Sequence, residues 1–198
     1  APNLRNPNKI VLFRQHSVWK NHAKRLCPVT GKHYLCTKVR KVLHKTEREM
    51  KNLNLPAFDV KLGGTAEQPK IWDILRRKYV ALTPEEWVRQ HFVHFLTGHK
   101  HYPAALLANE VGLQIGNKQL RADSVLYTRQ LRPRMIVEYK APHIEITQRV
   151  FEQIAAYNMK LHVDYLVVSN GIRHFCCKMN YEDNTLSFLP DLPDYDEL

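Results

Sequence analysis

Met135, Ile136 and Val137 form an uninterrupted apolar run that stops at a carboxylate, Glu138, and is closed off by Ala141-Pro142. A short run of this kind reads as a strand covered on both faces. The proline then ends its hydrogen-bonding ladder. A charged group at the end of such a strand is costly unless something there uses or neutralises it. Side chains alternate along a strand, so Lys140 shares a face with Glu138. One strand earlier, in the stretch RADSVLY, stands Asp123. One element later, in QRVFEQIAAYN, Gln153 and Tyr157 are four apart and share a helix face. Two acids, an amine and two polar groups can therefore converge on one spot. That is the minimum set for metal-assisted phosphodiester cleavage.

The segments around this spot set the fold class. Residues 57–62 alternate, which predicts a short strand. Residues 63–69 read as a turn, and 71–80 as extended structure. Thr83-Pro84-Glu85-Glu86 is a helix start: Thr83 accepts from the Glu86 amide, Glu86 reaches back, and Pro84 takes the first helical position. The helix is expected to run to Thr97, with Val88, Phe92, Phe95 and Leu96 facing the core and Gly98 as the stop. Residues 103–107 suggest one helical turn. Strands are expected over 109–115, 120–127 and 134–139, with a hairpin turn at 116–118. A helix from Thr147 to Leu161 with the stripe Val150, Ile154, Tyr157 and Leu161 follows, then a strand over 164–169. Asn170-Gly171 predicts a two-residue type I′ hairpin into 172–178. A short strand over 185–189 and an acidic tail over 191–198, whose Pro193 and lack of apolar periodicity argue against order, complete the chain. This order predicts an α/β sandwich with a central mixed β-sheet flanked by helices. The strands at 134–139 and 164–169, joined through a helix, are expected to run parallel.

Charge divides the chain unevenly. Residues 1–49 hold 12 lysines and arginines against two acids, while the rest of the chain holds 18 against 17. The overall basic balance thus says little about the body. Three readings of the leader compete: a flexible basic arm along phosphates, a metal knuckle of Cys27, His33, Cys36 and His44 whose spacing is too wide for zinc, and an extension foreign to the native protein, ahead of Met50. The last is preferred, and globular texture begins at about residue 50. Cys176 and Cys177 are adjacent on a strand, so they point to opposite faces and stay reduced. No apolar run is long enough to span a membrane, and no signal-peptide pattern is seen, so a cytoplasmic location is the default.

TPEEWVRQ at 83–90, RAD at 121–123, EYKAP at 138–142, QIAAY at 153–157 and SNG at 169–171 together resemble the nuclease domain at the N-terminus of type I restriction enzyme R subunits, within the PD-(D/E)XK nuclease superfamily. The resemblance covers residues 57–179, about three-fifths of the chain. It implies a restriction-endonuclease-like fold and an endonuclease that uses Mg²⁺, with Mn²⁺ able to substitute. It implies Asp123 and Glu138 as metal ligands, Lys140 as the catalytic lysine, Gln153 with Tyr157 as an accessory pair that contacts DNA or shapes the site, and Arg121 as a further accessory, DNA-binding residue. A further acid is expected from the first helix or the next strand. Glu86 and Glu110 are the candidates, with Glu110 favoured because Glu86 serves the capping box. The chain carries no phosphate-binding Gly-rich loop of a helicase motor. The expected function is therefore DNA phosphodiester hydrolysis without a motor of its own. DNA and a separate motor or specificity protein are the expected partners, and no membrane is. The alternative is an inactive DNA-binding module of the same fold.

Overall fold

The computed structural model describes residues 53–65, 67–115 and 117–198. The leader, with Cys27, His33, Cys36 and His44, lies outside the described residues, as does Gly116 of the expected hairpin turn.

Among the described residues, nine strands fall into two sheets. β1 (Leu62–Gly64), β2 (Pro69–Asp73) and β3 (Lys78–Ala81) make a small antiparallel sheet. After helix α1 (Pro84–His99) and a 3₁₀ turn (Ala104–Leu106) come β4 (Leu107–Ile115), β5 (Lys118–Tyr127) and β6 (Pro133–Tyr139). Helix α2 (Gln148–Leu161) leads to β7 (Tyr165–Ser169), β8 (His174–Asn180) and β9 (Thr185–Leu189). The last six strands lie in the order β4-β5-β6-β7-β8-β9. Only β6 and β7 run parallel, as the crossover through α2 requires. The architecture is mixed α/β, a six-stranded mixed sheet flanked by helices.

The sheet separates two apolar clusters. Val88, Phe92 and Leu96 of α1 pack with Leu126, Met135, Val137, Tyr139 and Cys176. On the other side Val150, Ile154 and Tyr157 of α2 pack with Ile136, Leu166, Val168 and Cys177. The adjacent cysteines do face opposite ways, and both are free thiols.

Several local expectations change. Residues 57–61 are not a strand; β1 begins at Leu62, where the glycines continue it instead of turning. Residues 71–80 are not one extended piece but a hairpin, whose turn is held by the Asp73 carboxylate accepting from the amides of Leu75 and Arg76. Thr83 caps α1 by accepting from the Glu86 amide at 3.0 Å, but Glu86 does not complete the box: the Thr83 amide donates to the Ala81 carbonyl. α1 continues through Gly98, and the left-handed residue falls at His101. Thr147 holds the N-cap position of α2 without a side-chain bond. The loop after β7 has four residues, not two, because Ser169 pairs with His174. Asn170 organises it by accepting from the amides of Ile172 and Arg173. Gly171, at φ 80°, is held where a Cβ would come within 2.5 Å of Leu53. The acidic tail is packed rather than loose. Leu192 is buried, Tyr102 donates to the Pro193 carbonyl, and Lys100 pairs with Asp194 at 2.9 Å.

Candidate active site

The site forms where the large sheet comes apart. β5 and β6 pair from Tyr127 and Pro133 back to Ser124 and Val137, and the next pair in register would be Asp123 with Glu138. That pair does not form. One Asp123 oxygen, Oδ2, accepts instead from the amide of Tyr139 at 2.8 Å. On the other side of β5 the ladder passes from Asn109–Ser124 to Val111–Ala122, skipping the position at which Glu110 faces Asp123. Glu110 is left-handed there, at φ 59°, a conformation that costs a non-glycine residue about 1–3 kcal/mol and persists only where surroundings impose it. Three acids on three neighbouring strands thus form a row, an arrangement that repels itself unless cations are supplied.

Three basic side chains supply them. Arg89 of α1 is buried beneath the row. Its Nη1 donates to Glu86 Oε2 at 2.8 Å and also to Glu110, and its Nη2 donates to Asp123 Oδ1 at 2.7 Å. Its guanidinium carbon lies 5.7 Å from the centre of the Tyr139 ring, and its Nε is left without a partner. Burial disfavours the Arg89 charge, but Asp123, Glu86 and Glu110 outweigh burial and raise its pKa. Arg121, largely exposed, pairs with Glu110 from outside. Lys140 Nζ donates to Glu138 Oε1 at 2.7 Å.

Glu138 is only 3% exposed. Gln153 Nε2 donates to the same Oε1 at 2.8 Å and lies 3.0 Å from the Tyr157 hydroxyl. Burial, and next the charge of Asp123, push the Glu138 carboxyl up to about 7, against the lowering influence of Lys140. Burial likewise raises Asp123, although Arg89 and the Tyr139 amide work the other way. Burial disfavours the Lys140 charge, but its bond to Glu138 and the charges of Glu138, Glu85 and Asp123 together raise its pKa.

The structure brings together Asp123, Glu138, Lys140, Gln153 and Tyr157. Glu110 and Arg121 form an adjoining pair. Glu86 stands apart from the capping role expected of it: it accepts from Arg76, Arg89 and Gln90 and lies inside the polar core. Glu85, the other acid at the start of α1 and not among the expected candidates, interacts electrostatically with Asp123 and Lys140. Burial raises its carboxyl, followed by the charge of Asp123, and Lys140 opposes both. Glu138 feels the Glu85 charge in turn. The available signal was the pair of successive acids at the start of a helix, with Arg89 at i+4 from one and i+3 from the other. Among the described residues, no three His, Cys, Asp or Glu side chains are grouped to hold a metal ion.

Fold and site together define a mixed α/β domain whose polar centre, acids and one lysine, sits at the parting of the strands of one sheet. The chain belongs to the family of type I restriction enzyme R protein N termini, whose family model matches residues 84–193, over half of the chain. A fragment described as an HsdR subunit of a type I restriction enzyme from Vibrio vulnificus YJ016 is similar over 59% of this chain, at 23% identity and a TM-score of 0.43. This chain covers 24% of that one, about a quarter of its length. No curated protein matches the chain. The family match takes in Glu85, Asp123, Glu138, Lys140, Gln153 and Tyr157, and leaves β1–β3 outside it. Among the described residues no helix is long and apolar enough to cross a membrane.

Proposed function

We propose that this domain hydrolyses DNA phosphodiester bonds with a divalent cation, Mg²⁺ or in its place Mn²⁺, as a nuclease of the PD-(D/E)XK type. The observation that carries the reading is the pair of mutually repelling carboxylates, half-buried Asp123 and buried Glu138, with Lys140 bonded to Glu138 at 2.7 Å. Asp123 and Glu138 would hold the ion, and the small number of protein ligands suits Mg²⁺, which keeps several waters and binds through one or two carboxylates. The ion supplies an acidified water and neutralises charge on the phosphate. Lys140 Nζ is placed to orient the attacking water or to offset charge on the pentavalent phosphate. Gln153 and Tyr157 fix the Glu138 carboxylate. Glu85 adds a third carboxylate whose charge, when ionised, strengthens the attraction of this spot for a divalent cation. DNA is the proposed substrate, and the motor and specificity functions of a restriction system are its proposed partners.

One observation favours the second reading, a DNA-binding module without cleavage: both Asp123 oxygens are already engaged, by Arg89 and by the Tyr139 amide. Plasmid nicking decides between the two. With Mg²⁺ or Mn²⁺ the native protein is expected to nick supercoiled DNA, and Lys140→Ala to do so at least about 100-fold more slowly. No cleavage by the native protein in either metal, with DNA still bound, favours the binding module. Equal cleavage by both proteins places the activity elsewhere.

A further inference from the structure

The small sheet is used by nothing in the site, yet it is built on the same polar network. Asp73 of β2 accepts from Asn109 of β4 at 2.9 Å, and Arg76 of the β2–β3 turn donates to Glu86 at 2.9 Å. Glu86 is held by Arg89, and Arg89 by Asp123. The hairpin is thereby fixed in orientation next to the candidate active site.

Its two faces differ. Ile71 and Asp73 point inward and are fully buried. The outer face carries Lys61, Lys70, Trp72 and Tyr79. Trp72 and Tyr79 are cross-strand partners with ring centroids 5.1 Å apart. The Tyr79 ring lies over Gly63, where a Cβ would come within 3.0 Å of it, and Tyr79 is 47% exposed. Lys61 and Lys70 are exposed beside these rings, and Arg77 and Lys78 are exposed at the hairpin tip. Together these residues make a strand-borne aromatic platform edged by lysines.

We propose that the outer face of β1–β3 docks single-stranded DNA, stacking a base on Tyr79 and Trp72 while Lys61 and Lys70 take the flanking phosphates. The choice of DNA rests on the nuclease reading. The choice of single strands rests on the exposed ring, because an aromatic face offers stacking only to unpaired bases.

The test is anisotropy of a labelled mixed-sequence oligonucleotide with the full chain in EDTA, over a salt series. Tyr79→Ala is expected to weaken single-strand binding about tenfold, and Tyr79→Phe to restore it. Lys61→Gln/Lys70→Gln is expected to lower the salt slope by about 1.4, and the same two charges removed from α2, as Arg149→Gln/Lys160→Gln, to leave it unchanged. On a duplex of the same sequence Tyr79→Ala is expected to have no effect. Unchanged single-strand binding by the Tyr79 and lysine variants overturns the proposal. So do equal losses on duplex, tighter platform-dependent binding of RNA, or a loss with Tyr79→Ala that Tyr79→Phe fails to restore. Failure of the nuclease reading is separately visible, as absent nicking with the binding differences intact.

Discussion

Asp123 and Glu138 occupy adjacent positions in the register of the same sheet, yet they are held in opposite ways. Asp123 is reached from α1 by an arginine, which stays charged and is itself locked by Glu86 and Glu110. Glu138 is held by a lysine at the end of its own strand and by an amide from α2. An arginine fork in a closed network is a fixed counter-charge; an ammonium on a flexible stem is a movable one. The first carboxylate would therefore meet the ion from a fixed position in the framework, and the second would exchange its lysine partner for the ion. The difference suggests that fold stability is concentrated at the Asp123 side and reactivity at the Glu138 side.

The largest break in this comparison is Arg89→Met. It leaves Glu86, Glu110 and Asp123 without their common counter-charge, and removing one partner of a buried charge cluster costs about 3–5 kcal/mol. Urea unfolding at neutral pH measures it. A loss below about 1 kcal/mol would show that the acids relax by taking up protons or water, and the contrast between the two carboxylates would disappear.

Glu138→Gln tests the other half through pH. The Glu138 carboxyl is raised from 4.5 to about 7 in the folded protein. Below pH 4.5 it is protonated in both states and its contribution to stability is full. As pH rises towards 7 the unfolded chain gives up the proton first, so stability falls across that window and is flat above it. Glutamine has no such loss. The stability difference between variant and native protein should therefore shift in favour of the variant by on the order of 3 kcal/mol between pH 4 and pH 8. Millimolar Mg²⁺ at pH 8 should offset part of it in the native protein alone. A pH-independent difference would mean that Lys140 already neutralises Glu138, making it a framework residue like Asp123.

How much of this contrast was legible beforehand depends on which neighbours are close in sequence. The meeting of Glu138, Lys140 and Gln153 follows from strand alternation and one helix face, and it is seen directly in two hydrogen bonds. The strand order around it follows from one crossover. The Arg89 network was hidden because its members come from α1, β4 and β5, and because an arginine in the first turns of an amphipathic helix looks like the solvated side. Arg89 is 3% exposed instead. Glu86 misled for a related reason. The capping pattern offers it a local partner, but Arg76, from a hairpin ten residues earlier, captures it. The folded tail was equally illegible, because its order depends on Tyr102 and Lys100, ninety residues away.

The neighbouring acids of α1 sharpen the comparison at smaller scale. Glu86 is bonded to three side chains of the framework, whereas Glu85 faces Asp123 and Lys140 with its charge. Glu86→Gln is expected to lower stability by about 2 kcal/mol, the worth of hydrogen bonds to a charged group. Glu85→Gln is expected to leave stability within about 0.5 kcal/mol and to slow Mg²⁺-dependent nicking about tenfold. The reverse pattern would exchange their roles.

The smallest effect is expected at Tyr157. Its ring belongs to the apolar stripe of α2, and only its hydroxyl reaches Gln153. Tyr157→Phe keeps the packing and removes one neutral hydrogen bond two steps from Glu138. The cost should be under about 1 kcal/mol in stability and about threefold in nicking rate. Gln153→Leu, which removes the bond to Glu138 itself, should cost more in rate than Tyr157→Phe does. If the two variants lose equal activity, the hydroxyl acts on the reacting phosphate or its water rather than through Gln153, and the movable side of the site extends one turn further along α2.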